Sequence, residues 1–565
     1  MSGEIAMAGG GRTFEAVDTR RTRKNQTVRR TQPRWRAALR VFGRVLLWLL
    51  VAAGAVLLGA SLWIRRTFGP VSIDQMLMSL PGAGGAETTQ AEAGYVSSFI
   101  GQALVIPLAS VLGLFLLCWV CKRLWNARIA GRKDVVLTDE PHRRHFSRLR
   151  VDKWLPGLSA LIVFVAGVAL FSQTVGVAQY LRSATTSLTM MDYYVAPETH
   201  DDSTLIFGTS EPDGEPKNLI TIYLESGDDA FADAEVFGEN LLAPLQEATT
   251  GWASIPALRA YEGGGWTMAG LVGTQCGIPL RGPGIGENDI NSNEIGAEYE
   301  EYLPGATCLG DVLDSAGYTN VYLGGADAEF ASKGSFLYSH GYSEVKDLSY
   351  WIEQGEVELS TWGLSDRALM ERAKEEVTRL HEADEPFSLT MLTLDFHEPA
   401  QRSEYCPPQM EIESSSVLIC SMEYVAGFVD YLEENGYLGD TVVVVMADHP
   451  KMIAVGGTYS AELGGVPFHE RLLFNRIWAP GGEVHLARGD IDQLSVYPTI
   501  LDLLGIGGED GRAGVGVSAL AQSLGGAAID LPDEQYLELL QSRSDDLYRR
   551  LWNIDDGALV IADAK

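Results

Sequence analysis

Positive charge is scarce over most of this chain: of 43 Lys and Arg in 565 residues, only 19 lie beyond residue 182, against 65 Asp and Glu. So acidic a surface repels nucleic acid and anionic lipid at long range, which argues against nucleic-acid binding. Any anionic substrate must be captured by a local cation cluster or a metal ion, although acidity also simply keeps a domain soluble. Cysteine is sparse as well, with six in all and no four-ligand zinc spacing among them. Cys118 and Cys121 end an apolar run and read as reduced thiols. Cys276, Cys308, Cys406 and Cys420 form an even set in the part read below as exported, where two disulfides are expected. Three pairings exist; Cys276 with Cys308 and Cys406 with Cys420 are favoured because each encloses one short loop. No internal repeat is evident. No small-residue cleavage site follows the first apolar run, which argues against a cleavable signal peptide.

Long apolar runs are what the chain does have: Val45 to Ile64, Ala93 to Cys121 and Trp154 to Leu181. Each is long enough to cross roughly 30 Å of hydrocarbon as a helix, so a three-span membrane protein is expected. Eleven Arg or Lys precede the first run, two follow it at Arg65 and Arg66, and ten lie between the second and third. Positive-inside reasoning therefore places the N-terminus and the second connection in the cytoplasm, and everything after Arg182 outside the cell membrane.

The expected organisation is a basic cytoplasmic tail over 1–40, a membrane domain over 41–182, a linker over 183–217 rich in Pro, Asp and Glu, an extracytoplasmic α/β domain over 218–525, and a C-terminal helical segment over 526–565. In the exported part Leu219 to Leu224, Asn320 to Leu323, Ser388 to Leu394 and Thr441 to Met446 read as buried strands. Cys308 to Ala316, Asp366 to Ala383 and Met422 to Asn435 have helical spacing. The alternation implies a mostly parallel sheet covered on both faces, with functional residues at the carboxyl ends of its strands.

Glu225, His397, Asp448 and His449 all fall just after such strands. A carboxylate and an imidazole side by side after an apolar strand suit a hard or borderline divalent ion, and Glu225 at another strand end supplies a further oxygen. Thr267 follows Gly263, Gly264 and Gly265 at the start of a helical stretch. Taken alone it is as well explained as a helix cap. Beside a divalent ion it becomes a nucleophile, because the metal favours the alkoxide and the helix N-terminus favours developing negative charge. His340 and His469 have no partner legible in the sequence and read as structural.

Asn218 to Ser226, Gly265-Trp266-Thr267, Thr274 to Leu280, Cys308 to Leu313, Leu394 to Pro399 and Ala447 to Pro450 together resemble the phosphoglycerol transferases of the alkaline phosphatase and sulfatase superfamily. The similarity is to the enzymes that decorate periplasmic glucans and, more distantly, to lipoteichoic acid synthase; it covers roughly residues 218 to 510. It implies an alkaline phosphatase/sulfatase-like domain and one divalent metal ion, Mn2+ or Mg2+, bound by Glu225, Thr267, Asp448 and His449. It implies Thr267 as nucleophile and His397 beside the transferred group. Phe330 and Lys333 fall where the synthases place an aromatic and an arginine around substrate; lysine keeps the charge but loses bidentate phosphate binding. The implied activity moves phosphoglycerol from phosphatidylglycerol to a glycan or polyglycerolphosphate acceptor through a covalent threonine intermediate. Rival readings are a sulfatase using a modified Cys276, a phosphoethanolamine transferase, and a non-catalytic glycan-binding or sensory protein on the same fold.

Overall fold

The computed structural model describes residues 34–67, 97–130, 151–183, 186–200, 204–206, 216–282, 301–454, 457–508, 510–522 and 525–553. Three of its helices are long and apolar enough to cross a membrane: α1 (Arg34–Thr67), α2 (Ile106–Ala130, entered through a π-helical turn at Ile100–Val105) and α3 (Val151–Thr174). Helix α1 reaches back to Arg34, so the end of the basic tail belongs to the first membrane helix. Residues 1–33 lie outside the described residues. The third apolar run does not continue unbroken to Leu181: Gly176 adopts φ 66°, and a short helix, Val177–Ser183, resumes after it.

Six strands form the main sheet: β1 (Asn218–Leu224), β2 (Thr319–Gly324), β3 (Glu344–Lys346), β4 (Phe387–Leu392), β5 (Thr441–Ala447) and β6 (Asn475–Trp478). Their spatial order is β3-β2-β4-β1-β5-β6. The first five are parallel and β6 is an antiparallel edge. Strands β3 and β6 are short and carry little apolar signal, which hid them in the sequence.

Every residue of β1 and β5 is buried, as expected for a parallel sheet covered on both sides. Alternation along β1 divides two cores. Leu219 and Tyr223 pack with Met268, Leu271, Val312 and Ile500, whereas Ile220, Ile222 and Leu224 pack with Leu369, Val377, Val425 and Phe428. Helices Thr267–Cys276, Leu309–Ser315 and Val496–Leu504 thus cover one face, and Asp366–Glu382 and Glu413–Glu434 the other.

The expected linker does not stay free of the domain. Met190 is fully buried, its N–H donates to Ser544 Oγ (2.8 Å), and Val195 bridges to Gly514. Glu198–His200 and Thr204–Ile206 form a small antiparallel pair. The expected terminal helix is two short helices, Asp533–Gln541 and Asp545–Leu551, broken where Ser544 takes a left-handed conformation. Trp552 behind them is fully buried and donates to Arg281 O (3.0 Å), anchoring this end to the segment after Cys276.

Candidate active site

Strand register builds the centre. Leu224 lies opposite Ala447 in the parallel β1–β5 pair, so the next residues, Glu225 and Asp448, leave the sheet side by side on strands about 4.8 Å apart. Ser226 then takes φ 58°, a conformation that non-glycine residues adopt at a cost. That turn aims its N–H at Asp448 Oδ1 (3.0 Å) and its hydroxyl at Glu225 Oε1 (2.5 Å). The His449 N–H also donates to Asp448 Oδ1 (2.8 Å), and His449 Nδ1 pairs with Pro450 O (2.8 Å).

His449 Nε2 is thereby left facing the carboxylates, 3.6 Å from Glu225 Oε1 and 3.6 Å from Asp448 Oδ2. One ligand atom from each of Glu225, Asp448 and His449 lies within 4.8 Å of the others, and all three residues are buried. Asp448 Oδ2 has no hydrogen-bond partner although it is buried. An unpaired buried carboxylate oxygen facing an imidazole nitrogen and a second carboxylate is what a divalent cation would satisfy, so these residues fit the group.

Thr267 opens the helix Thr267–Cys276 above this cluster. A Cβ on Gly270 would stand 2.1 Å from the Asp448 carbonyl oxygen, so only glycine lets the first helical turn press onto the β5 end. Gln493 Nε2 donates to the same carbonyl (2.5 Å), and a Cβ on Gly264 would meet Gln493 Oε1 at 2.3 Å. The Thr267 hydroxyl opposes, without reversing, the rise that burial imposes on the Asp448 pKa, and does not satisfy Oδ2.

Burial, reinforced by Glu225 and opposed by His449, pushes Asp448 up to about 7. Burial works to raise Glu225 too, but His397, His449, Ser226 and Lys451 together hold it below the ordinary carboxylate value. His449 is raised: Asp448 and Glu225 outweigh the burial that would lower it. His397 is lowered by burial, against the pull of Glu225. Its Nδ1 pairs with Glu398 O (3.0 Å), and the Trp362 ring stands edge-on 4.4 Å away.

Lys333 is 4% exposed, with no salt bridge among the described residues. Burial lowers its pKa to about 8 despite the fields of Asp347, Asp327, Glu225 and Asp448. It follows two successive left-handed residues, Ala331 and Ser332 (φ 57° and 58°), in a strained turn after β2. Phe330, at the head of that turn, is 48% exposed.

Several supporting residues gave no signal in the sequence. Lys451 is buried, with Nζ 2.5 Å from Phe396 O and 3.5 Å from Glu398 Oε1, and so ties the β5 loop to the loop carrying His397. Asp228 accepts from Arg471 at 2.7 and 2.5 Å and from the Lys451 N–H at 2.7 Å. Their partners are 20 to 243 residues away, beyond the reach of any local pattern.

Cys276 is joined to Cys308 and Cys406 to Cys420. A disulfide-bonded Cys276 has no thiol to convert, which removes the sulfatase reading built on it. The partner of His340 that the sequence did not name is Asp311: Nδ1 lies 2.8 Å from its Oδ2, consistent with a structural role. Cys308, Asp311 and His340 come within ligand distance of one another, but the sulfur of Cys308 is committed to its disulfide. His469 is exposed, 3.9 Å from Glu470.

The Sulfatase family pattern matches residues 288–506. A phosphoglycerol transferase I from Xanthomonas campestris pv. campestris (strain B100) is 36% identical over 245 residues, 42% of this chain and 34% of that protein. One from Salmonella arizonae (strain ATCC BAA-731 / CDC346-86 / RSK2980) is 30% identical over 348 residues, 60% of this chain and 42% of that protein. The chain thus spans between a third and a half of the length of these curated relatives. Among solved structures, the lipoteichoic acid synthase LtaP from Listeria monocytogenes superposes with a TM-score of 0.47 at 15% identity, covering 63% of this chain and 97% of that one. Part of this chain is thus similar to phosphoglycerol transferase I proteins, and residues 288–506 match the Sulfatase family.

Proposed function

We propose that this protein is a membrane-anchored transferase that moves phosphoglycerol from phosphatidylglycerol to a hydroxyl of an extracytoplasmic glycan or polyglycerolphosphate, through a covalent intermediate on Thr267. The observation that carries the reading is the convergence of Glu225, Asp448 and His449 within 4.8 Å at adjacent strand ends, under the helix that Thr267 opens. Partial homology to phosphoglycerol transferase I supports the transferred group. Three membrane-length helices ahead of the domain support a donor drawn from the bilayer.

A divalent cation, Mn2+ or Mg2+, held by Glu225, Asp448, His449 and the Thr267 oxygen would lower the pKa of that hydroxyl and offset the phosphoryl charge. In the first half-reaction Thr267 Oγ1 forms a bond to phosphorus and the bond from phosphorus to the diacylglycerol oxygen breaks. The threonine proton ends on that oxygen, and diacylglycerol stays in the membrane. The desolvated ammonium of Lys333 faces the incoming phosphoryl charge. In the second half-reaction the acceptor oxygen bonds to phosphorus and its proton passes to His397 Nε2, which the Nδ1 bond to Glu398 O leaves free. The bond from phosphorus to Thr267 Oγ1 breaks, and the proton held by His397 restores the hydroxyl.

The test incubates the purified full chain and Mn2+ with phosphatidylglycerol labelled in its head group, with labelled phosphatidylethanolamine in a parallel arm. The wild type should release diacylglycerol from phosphatidylglycerol and carry covalent label, whereas Thr267→Ala should do neither. Equal diacylglycerol release by both proteins would refute the nucleophile assignment. Consumption of phosphatidylethanolamine alone would replace the transferred group.

A further inference from the structure

The membrane helices hold a polar constellation that the transferase reading does not use. Helices α1 and α3 touch backbone to backbone: a Cβ on Gly167 would stand 2.5 Å from Gly54 O, and one on Gly54 would stand 2.7 Å from Val163 O. Both helices run outward in the topology set by the basic connections, so this crossing brings their outward ends together. There Arg65 Nε donates to Thr174 Oγ1 (3.0 Å), and Thr174, only 3% exposed, donates to Leu170 O (2.8 Å). The guanidinium is therefore oriented by a buried hydroxyl.

Among the described residues, no side chain takes its Nη edge. Neither Arg65 nor the neighbouring Arg66 has a carboxylate partner among the described residues. Beside them the Trp63 indole donates to Ser98 Oγ (3.1 Å), as does Gln102 Nε2 (3.0 Å). Two cations at the outward end run against the usual positive-inside bias. An oriented guanidinium fork at headgroup depth matches a phosphodiester, which Arg can grip through two parallel hydrogen bonds.

We propose that Arg65 and Arg66, in the last turn of α1 where it meets the outward end of α3, form a binding site for the phosphodiester headgroup of an anionic phospholipid. The exported domain is acidic and repels such lipids at long range, so a local cation pair supplies the attraction that the domain lacks. The site lies at the foot of that domain: Val177–Ser183, which continues α3, packs against Asp533–Gln541. Headgroup binding stands by itself; only its use to capture the donor rests on the transferase reading.

The full chain, purified in mild detergent, is mixed with equal amounts of phosphatidylglycerol and phosphatidylcholine, and retained lipids are counted by native mass spectrometry. Phosphatidylglycerol should be retained over phosphatidylcholine, and free glycerol phosphate at the same concentration should not displace it. The Arg65→Gln/Arg66→Gln double variant should retain roughly tenfold less, as for loss of charge-assisted hydrogen bonds. Arg65→Lys/Arg66→Lys, which keeps the charge without the fork, should fall between the two and guards against a folding defect in the first variant. Equal retention by wild type and the Gln variant, equal retention of phosphatidylcholine, or displacement by glycerol phosphate overturns the proposal. Diacylglycerol release from vesicles containing phosphatidylglycerol should fall in the Gln variant. Failure of the wild type to release diacylglycerol, with lipid retention intact, counts against the transferase reading and leaves the lipid site standing.

Discussion

Replacing Lys333 by methionine should make the protein more stable and less active at once. The ammonium is 4% exposed and burial holds its pKa at about 8, against 10.5 in the unfolded chain. A base whose folded pKa is depressed costs the fold its full penalty at pH below about 8, and the penalty fades as pH rises from there toward 10.5. At about 1.4 kcal/mol per pKa unit, the charge costs the metal-free protein about 3 kcal/mol at neutral pH. Methionine is of similar length, fills the same space without charge, and should recover most of that. Thermal melts of the full chain in detergent should show Lys333→Met unfolding several degrees higher at pH 7, with the gap to wild type narrowing as pH rises from about 8 toward 10.5. On the proposed mechanism, in which this cation faces the phosphoryl group, turnover of phosphatidylglycerol should fall. A Lys333→Met protein that melts lower at pH 7, or a gap that does not narrow with pH, would refute the account of Lys333 as an unpaired desolvated charge.

Chelation with EDTA should abolish diacylglycerol release and lower the melting temperature; Mn2+ or Mg2+ should restore both, since an ion bound only by the folded state adds stability by mass action. Gly270→Ala should destabilise the domain by about 1–3 kcal/mol and weaken metal affinity measured by calorimetry, because its Cβ would stand 2.1 Å from the Asp448 carbonyl oxygen. Arg471→Met should cost about 3–5 kcal/mol in urea unfolding by leaving the fully buried Asp228 unpaired, with Asp228→Asn/Arg471→Met recovering part of the loss.

The candidate metal ligands were legible because each ends or follows an apolar strand: a run such as Thr441 to Ala447 is unmistakable, and a charge placed directly after it demands an explanation. Thr267 was legible through its glycines, although Gly270, three residues on, makes the tightest contact. Lys451, Gln493, Asp228 and Arg471 were not, since a lone lysine or glutamine in a loop looks the same whether it is solvated or buried against a residue two hundred positions away. The linker misled for a related reason. Its Pro, Asp and Glu content is that of a tether, yet Met190 finds a buried slot beside Ser544 that only the assembled domain creates.

Sequence by itself determined the three membrane-length helices, the parallel character of the sheet and the strand-end positions of the polar residues, because these follow from local runs and periods. Tertiary structure alone decided which strands became neighbours, and with that the meeting of Glu225 and Asp448, the desolvation of Lys333 and the Gly54–Gly167 crossing that turns Arg65 toward Thr174. Each of these needs groups far apart in the chain to pack within a few ångströms. The free energy of such a contact depends on everything packed around it, which no short window of residues records.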